Sequence, residues 1–290
     1  MRITRIAAVA MTAVLTLGGV AACGDDEDAG GTDKGFAAGT TMERINKAGK
    51  LRVGTKFDQP GFGLKGLSGK PEGFDVEIAK IIAKALGVAE DKIEWTETPS
   101  TVREQVIQQD KVDIVVATYT INDKRKELVD FAGPYYVAGQ SILVKAADTT
   151  ITGPDSFKDG TKKVCSVTNS TPAATIEKYL KDKATQLVLF DVYQKCVDAL
   201  KGGQVDAVTT DNVILTGFIA TNEGLFKLAG PTFTEEPYGV GLKKGDTAFR
   251  TFLNDTLEKS FTDGTYTQAW QQTAGKFDPN LPKTPTINRY

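Results

Sequence analysis

Between residues 51 and 118, short apolar runs alternate with segments of helical spacing, and that alternation leaves few architectures open. LRVGT (51–55) reads as a strand ending in Gly-Thr. GFDVEIAKIIAKALG (73–87) places Phe74, Ile78, Ile81, Ile82 and Leu86 at helical spacing, with Gly87 as a stop. KIEWTET (92–98) and VDIVVAT (112–118) read as strands, and VREQVIQQ (102–109) as the helix between them. Strand, helix and strand in succession predict βαβ units on mostly parallel sheets, an α/β fold. A chain of 290 residues, 40% hydrophobic and 25% charged, has ordinary globular composition and room for one large domain or two modest ones.

Two pairs of segments echo one another. KVDIVVATYTINDKR (111–125) and QVDAVTTDNVILTGF (204–218) share V-D-x-V followed by a polar loop, each after a helical stretch. PYYVAGQSILVKAADT (134–149) and PYGVGLKKGDT (237–247) form the second pair. Together they predict two lobes on one plan. Segments 140–146 and 237–243 are expected to pair as strands crossing between them. Lobe one is then 42–140 together with 237–290, whose start is the second crossing strand, and lobe two is 141–236. In open α/β sheets ligands sit beyond the carboxyl ends of strands. That rule nominates Lys56 and Phe57, Tyr119 to Arg125, Thr168 to Thr171, and Asp211, facing one another across a cleft that closes by hinge motion.

Charge and residue usage exclude other classes. The 35 basic residues nearly balance the 37 acidic ones, which gives nucleic acid no foothold. The chain has no His, so His-based triads, His metal sites and the imidazole pH switch are absent. No metal or cofactor is expected. With ionic contacts made by Arg, Lys and Asp alone, affinity is expected to be nearly flat from about pH 5.5 to 8.

The amino terminus reads as an export signal. Arg2 and Arg5 precede an apolar run from Ile6 to Leu17, too short for comfortable membrane spanning. The ending V-A-A-C resembles a bacterial lipobox, making 1–22 a lipoprotein signal peptide and Cys23 the acylated, palmitate-bearing mature terminus; the plainer reading is an ordinary signal peptide with an incidental Cys. Residues 23–41, Gly-, Asp- and Thr-rich, read as a flexible tether reaching about 20–25 Å. The protein is then exported and lipid-anchored on the outer face of the cytoplasmic membrane. Outside the cytoplasm, the even pair Cys165 and Cys196 suggests a disulfide contributing about 3–4 kcal/mol, the alternative being two separate buried thiols.

The helix opening G-F-D-V-E-I-A-K-I-I-A (73–83), the segment T-Y-T-I-N-D-K-R-K-E-L-V-D-F-A-G-P-Y-Y (118–136), N-S-T-P (169–172) and T-T-D-N (209–212) resemble, in order and spacing, the polar-amino-acid family of extracytoplasmic solute-binding proteins serving ABC importers. The resemblance covers about residues 42 to 275. It implies a two-lobed, type II periplasmic-binding-protein-like fold, with two mixed, mostly parallel sheets flanked by helices and joined by two hinge strands. It also implies ABC permease subunits as partners and a monomeric binder with no reaction to catalyse.

Carried over residue by residue, the resemblance gives Arg125 the ligand α-carboxylate, which a guanidinium meets with two parallel donors. Thr118 and Thr120 assist, Ser170 and Thr171 donate from lobe two, and Asp211 accepts the α-ammonium. Without the motif, Arg125 would read as a solvated surface residue and Asp211 equally well as a helix N-cap. Lys56 and Arg103 fall where relatives specific for acidic amino acids place cations. Three cations against Asp211 leave a surplus of two, which favours a second ligand carboxylate: glutamate, then aspartate, with the amides behind. Lys56 could instead snorkel to solvent, and Arg103 could pair with Glu104 or Glu97. Gln59 and Ser100 depart from the pattern, standing where many relatives have aromatics, so Phe57 or Phe62 is expected to supply one wall. The rival class is an enzyme on the same fold, of the cyclohexadienyl dehydratase type, which would need a general acid or base held neutral near its substrate. A sensor domain or the front of a lytic enzyme ranks last, because the chain ends soon after its last helices.

Overall fold

The structure, a computed structural model, describes residues 34–290. The expected signal peptide, Cys23 and the expected tether up to residue 33 lie outside the described residues. The tether's last residue, Thr41, already opens a helix, Thr41–Ala48, whose N-cap Thr40 accepts from the Glu43 N–H.

In chain order the strands are β1 (Leu51–Thr55), β2 (Asp58–Gln59), β3 (Gly63–Lys65), β4 (Pro71–Glu72), β5 (Ile93–Glu97), β6 (Ile114–Val115) and β7 (Asp130–Ala138). They continue as β8 (Gln140–Lys145), β9 (Val164–Val167), β10 (Leu187–Phe190), β11 (Ala207–Asp211), β12 (Phe226–Leu228) and β13 (Glu236–Leu242). Two five-stranded sheets dominate, ordered β5-β1-β6-β13-β7 and β10-β9-β11-β8-β12. Each mixes parallel and antiparallel neighbours: β1 runs parallel to β5 and β6, and β9 parallel to β10 and β11. A small antiparallel sheet has the order β2-β3-β4. Helices cover the sheets, as their apolar stripes require; Phe74–Ala85 buries Phe74, Val76, Ile78, Ala79, Ile82 and Ala83.

The V-D-x-V echo has one physical role on both sheets. Asp113 N donates to Arg52 O at 2.8 Å, and Asp113 Oδ2 accepts from Arg52 N at 2.9 Å. Asp206 N donates to Lys163 O at 2.9 Å, and Asp206 Oδ2 accepts from Lys163 N at 2.7 Å. In both cases the aspartate clamps the start of the neighbouring parallel strand, β1 or β9. Asp113 also meets the guanidinium groups of Arg44 and Arg52, each at 2.7 Å.

The crossing strands differ from expectation. Segments 140–146 and 237–243 do not pair: β8 lies between β11 and β12 on the second sheet, and β13 between β6 and β7 on the first. The Pro-Tyr echoes instead become partners, with Tyr136 opposite Tyr238 and Val137 opposite Pro237. A buried strand must satisfy its backbone on both edges, and β8 finds those partners only inside the second sheet. The chain changes sheet at Gly139, where a Cβ would lie 2.7 Å from Thr232 Cβ. The strand expected over 112–118 is also shorter, Ile114–Val115, and at Thr118 the backbone enters the left-handed region, φ 44°. Cys165 on β9 and Cys196 on the helix Tyr193–Lys201 form a disulfide, with Cα atoms 5.5 Å apart, which settles the choice between bridge and separate thiols.

Candidate functional site

The carboxyl ends of β1, β6, β9 and β11 bring most of the nominated residues together. Thr118 follows β6, and its unusual backbone is held by Asp75: the Thr118 N–H donates to Asp75 Oδ2 at 2.7 Å. Asp75 Oδ1 accepts from the Tyr135 hydroxyl at 2.6 Å. That carboxylate belongs to the G-F-D motif, where helical spacing reveals only that residue 75 is near a helix start. Its burial raises its pKa to about 7, against the lowering pull of its two donors.

Two arginines flank the Tyr119 ring. The Arg103 guanidinium lies 4.3 Å from the ring centroid and that of Arg125 5.1 Å. Arg103 Nη1 donates to the carbonyls of Ala117 and Thr118, and its buried Nε has no partner. Neither Glu104 nor Glu97 pairs with it. Glu104 instead stands 3.3 Å from Arg125 Nε. Arg125 Nη1 donates to Thr120 O at 2.7 Å, and Nη2 reaches Asn169 O on the other side of the cleft at 3.2 Å. One N–H remains on each terminal nitrogen, the arrangement a two-oxygen acceptor needs. Arg125 is buried rather than solvated, and burial, followed by the Arg103 charge, lowers its pKa to about 10.

Across the cleft, Ser170 caps the helix Thr171–Ile176, accepting from Ala173 N at 3.0 Å. Thr171 Oγ1 meets Thr120 Oγ1 at 3.2 Å, so these two predicted residues touch. Asp211 occupies the N-cap position of Asn212–Ala220 but makes no capping bond with its side chain. Its Oδ2 accepts from the Tyr238 hydroxyl at 2.5 Å, and its buried Oδ1 has no partner. Burial and the neighbouring Glu236 charge raise its pKa to about 7.

Lys56 is buried, not snorkelling. Its Nζ donates to Ser100 Oγ at 2.9 Å, and burial, followed by the Arg103 charge, lowers its pKa to about 7. Gln59 is also buried; its Oε1 accepts from Thr118 Oγ1 at 3.1 Å, and Nε2 is unpartnered. Phe62 packs edge-on against Phe74, Tyr136, Tyr238 and Trp270 in the core behind these groups. Phe57 instead faces Lys65, 4.9 Å from its ring centroid. A groove of about 410 Å³ between the sheets is bordered by Arg125, Asn169, Ser170 and Thr171, with Lys56, Arg103 and Asp211 buried.

Two expectations need correction. Counting Lys56, Arg103 and Arg125 against Asp211 overlooked the buried Asp75 and Glu236 and the Glu104 carboxylate at Arg125. The surplus of two positive charges therefore does not hold across the region. Nor is a chain without His silent near neutrality, because burial moves Lys56, Asp75 and Asp211 to about 7. Asp75 and Glu236 escaped sequence reading, and Glu104 was considered only as a partner for Arg103, because isolated carboxylates in a 25% charged chain carry no periodic signal.

Residues 51–276 match the model of the bacterial extracellular solute-binding proteins, family 3. The chain is 37% identical over 282 residues to the glutamate-binding protein GluB of Corynebacterium efficiens, covering 94% of this chain and 92% of the relative. It is 38% identical over 272 residues to the ABC transporter glutamine-binding protein GlnH of Bacillus subtilis, covering 93% and 96%. Among solved structures, an ancestral arginine-binding protein bound to glutamine superposes with a TM-score of 0.71 at 37% identity, covering 78% of this chain and 97% of that one. With two mixed α/β sheets and a family match over most of its length, the chain belongs to the bacterial extracellular solute-binding proteins, family 3.

Proposed function

We propose that this protein captures an acidic amino acid, L-glutamate before L-aspartate, between lobes 42–140 with 237–290 and 141–236, and delivers it to the membrane subunits of an ABC importer. Arg125, helped by Thr118, Thr120, Ser170 and Thr171, takes the α-carboxylate, Asp211 takes the α-ammonium, and Lys56 and Arg103 take the side-chain carboxylate. Phe62 stiffens the wall from behind. Identity to the glutamate-binding and glutamine-binding relatives is nearly equal, 37% and 38%, so similarity does not choose between acid and amide.

One observation favours the acid. Lys56 and Arg103 are two buried cations, the Arg103 charge adds to burial in lowering the Lys56 pKa, and neither makes an ion pair among the described residues. Asp75, the carboxylate beside them, already accepts from Thr118 and Tyr135. Buried charges without an ionic partner are costly, and a ligand carboxylate relieves both. The protein works by capture and closure without turnover, as a monomer held to the membrane through acylated Cys23 and the 23–41 tether. Titration calorimetry against the twenty amino acids, with mass spectrometry of the recovered ligand, tests this reading. Micromolar or tighter binding of glutamate, recovered unchanged, is expected; no heat with glutamate or aspartate overturns the ligand assignment.

A further inference from the structure

Asp211 is not the only buried carboxylate beside the point where the chain changes sheet. Glu236 opens β13, opposite Ala138, while Asp211 closes β11, opposite Gln140. Gln140 and Ala138 flank the sheet-changing Gly139, so the two acids are tied to neighbouring positions of one crossing chain. Glu236 and Tyr238 alternate on β13 and therefore share a face. The Tyr238 hydroxyl shows where that face points, since it bonds Asp211 Oδ2.

Both carboxylates are about 3% exposed, and each has one oxygen engaged and one without a partner. Glu236 Oε1 accepts from Thr234 Oγ1 at 2.9 Å, leaving Oε2. Asp211 Oδ2 accepts from Tyr238, leaving Oδ1. A buried acceptor with no donor is costly, and two like charges side by side add to the cost. An ammonium answers both demands, because it brings three donors and a positive charge, whereas a hydroxyl brings one donor and none.

We propose that Glu236 is a second contact for the ligand α-ammonium, which it holds together with Asp211 between Oε2 and Oδ1. This rests on the amino-acid reading above and adds a residue to it. The Glu236 charge also raises the pKa of Asp211 and acts on Arg125, as closeness to both requires. The pair makes the free α-amino group a strict requirement, excluding dicarboxylic acids that lack it.

The test uses the full chain and the near-isosteric variant Glu236→Gln. Calorimetry with L-glutamate should show at least tenfold weaker binding, while X-ray scattering with and without saturating glutamate should give the wild-type pair of radii of gyration. Unchanged affinity overturns the inference. Weaker binding accompanied by an altered radius without ligand also overturns it, since Glu236 would then act on lobe closure. Should Glu236→Gln fail to fold, Glu236→Asp, which keeps the charge but withdraws it by one methylene, should weaken glutamate at least threefold, and an unchanged affinity again overturns the inference. A wild-type protein silent toward every amino acid would sink the functional reading itself, an outcome distinct from these.

Discussion

The Tyr238 hydroxyl on the first sheet donates to Asp211 Oδ2 on the second at 2.5 Å, a bond made from one side of the cleft to the other. Tyr135, on the strand paired with β13, makes the matching bond to Asp75 at 2.6 Å. Each crossing strand thus supplies a tyrosine to a buried aspartate, and the two rings lie 6.2 Å apart. Removing the Tyr238 hydroxyl leaves both Asp211 oxygens dependent on the ligand. Tyr238→Phe should weaken glutamate about tenfold to a hundredfold in calorimetry, the range for one hydrogen bond to a charged group. It should also move the acid limb of the affinity–pH curve upward, because that bond lowers the Asp211 pKa.

Arg125 and Lys56 should separate common from selective recognition. Arg125→Ala removes the group proposed to face every α-carboxylate and should abolish binding of all amino acids. Lys56→Ala should weaken glutamate at least tenfold more than glutamine, the difference expected for one desolvated charge contact. Equal losses for the two ligands in a calorimetric panel would remove Lys56 as the selector.

Affinity for glutamate should peak near pH 7 rather than stay flat. Asp211, with its pKa raised to about 7, must lose its proton to hold an ammonium, so affinity falls as pH drops below that value. Lys56, lowered to about 7, must gain a proton to hold a carboxylate, so affinity falls as pH rises above it. Each limb approaches about tenfold per pH unit for one linked proton. Calorimetry from pH 5.5 to 8.5 in buffers of differing ionisation enthalpy would reveal both limbs, and a level profile would contradict these assignments.

Asp58 reaches across the cleft to the helix Tyr193–Lys201, where its Oδ2 accepts from Tyr193 N at 2.8 Å. That helix has no capping side chain of its own, so the cap comes from the other side. Pro60 O closes in nearby, 2.3 Å from where a Cβ on Gly217 would lie. Asp58→Ala should disfavour the closed form by about 1 kcal/mol, the usual worth of a cap, and weaken all ligands about fivefold. Titration of glutamate and glutamine with the variant checks it; a loss confined to one ligand would contradict a role in closure.

The Cys165–Cys196 bridge joins β9 to the same helix. Replacing both cysteines with serine should lower unfolding free energy by about 2–5 kcal/mol in a urea titration. Glutamate binding of the folded variant should persist, since neither cysteine faces the carboxylate or ammonium contacts.

The sequence by itself determined the α/β class, the division into two similar sheets and the family, and it nominated the positions proposed to face a ligand. Those features are local: apolar periodicity follows from backbone geometry, and motifs such as 73–83 and 118–136 are contiguous. Only the tertiary structure decided that the Pro-Tyr segments pair with each other, that Asp75 holds Thr118 in a left-handed turn, and that Glu104 goes to Arg125 rather than Arg103. It also decided that Glu236 is buried along with Asp211 and that burial moves Lys56, Asp75 and Asp211 towards neutrality. Those outcomes depend on which chain segments, far apart in sequence, exclude water around a given side chain. Burial sets both the pKa and the need for a partner, and no local pattern of residues records it.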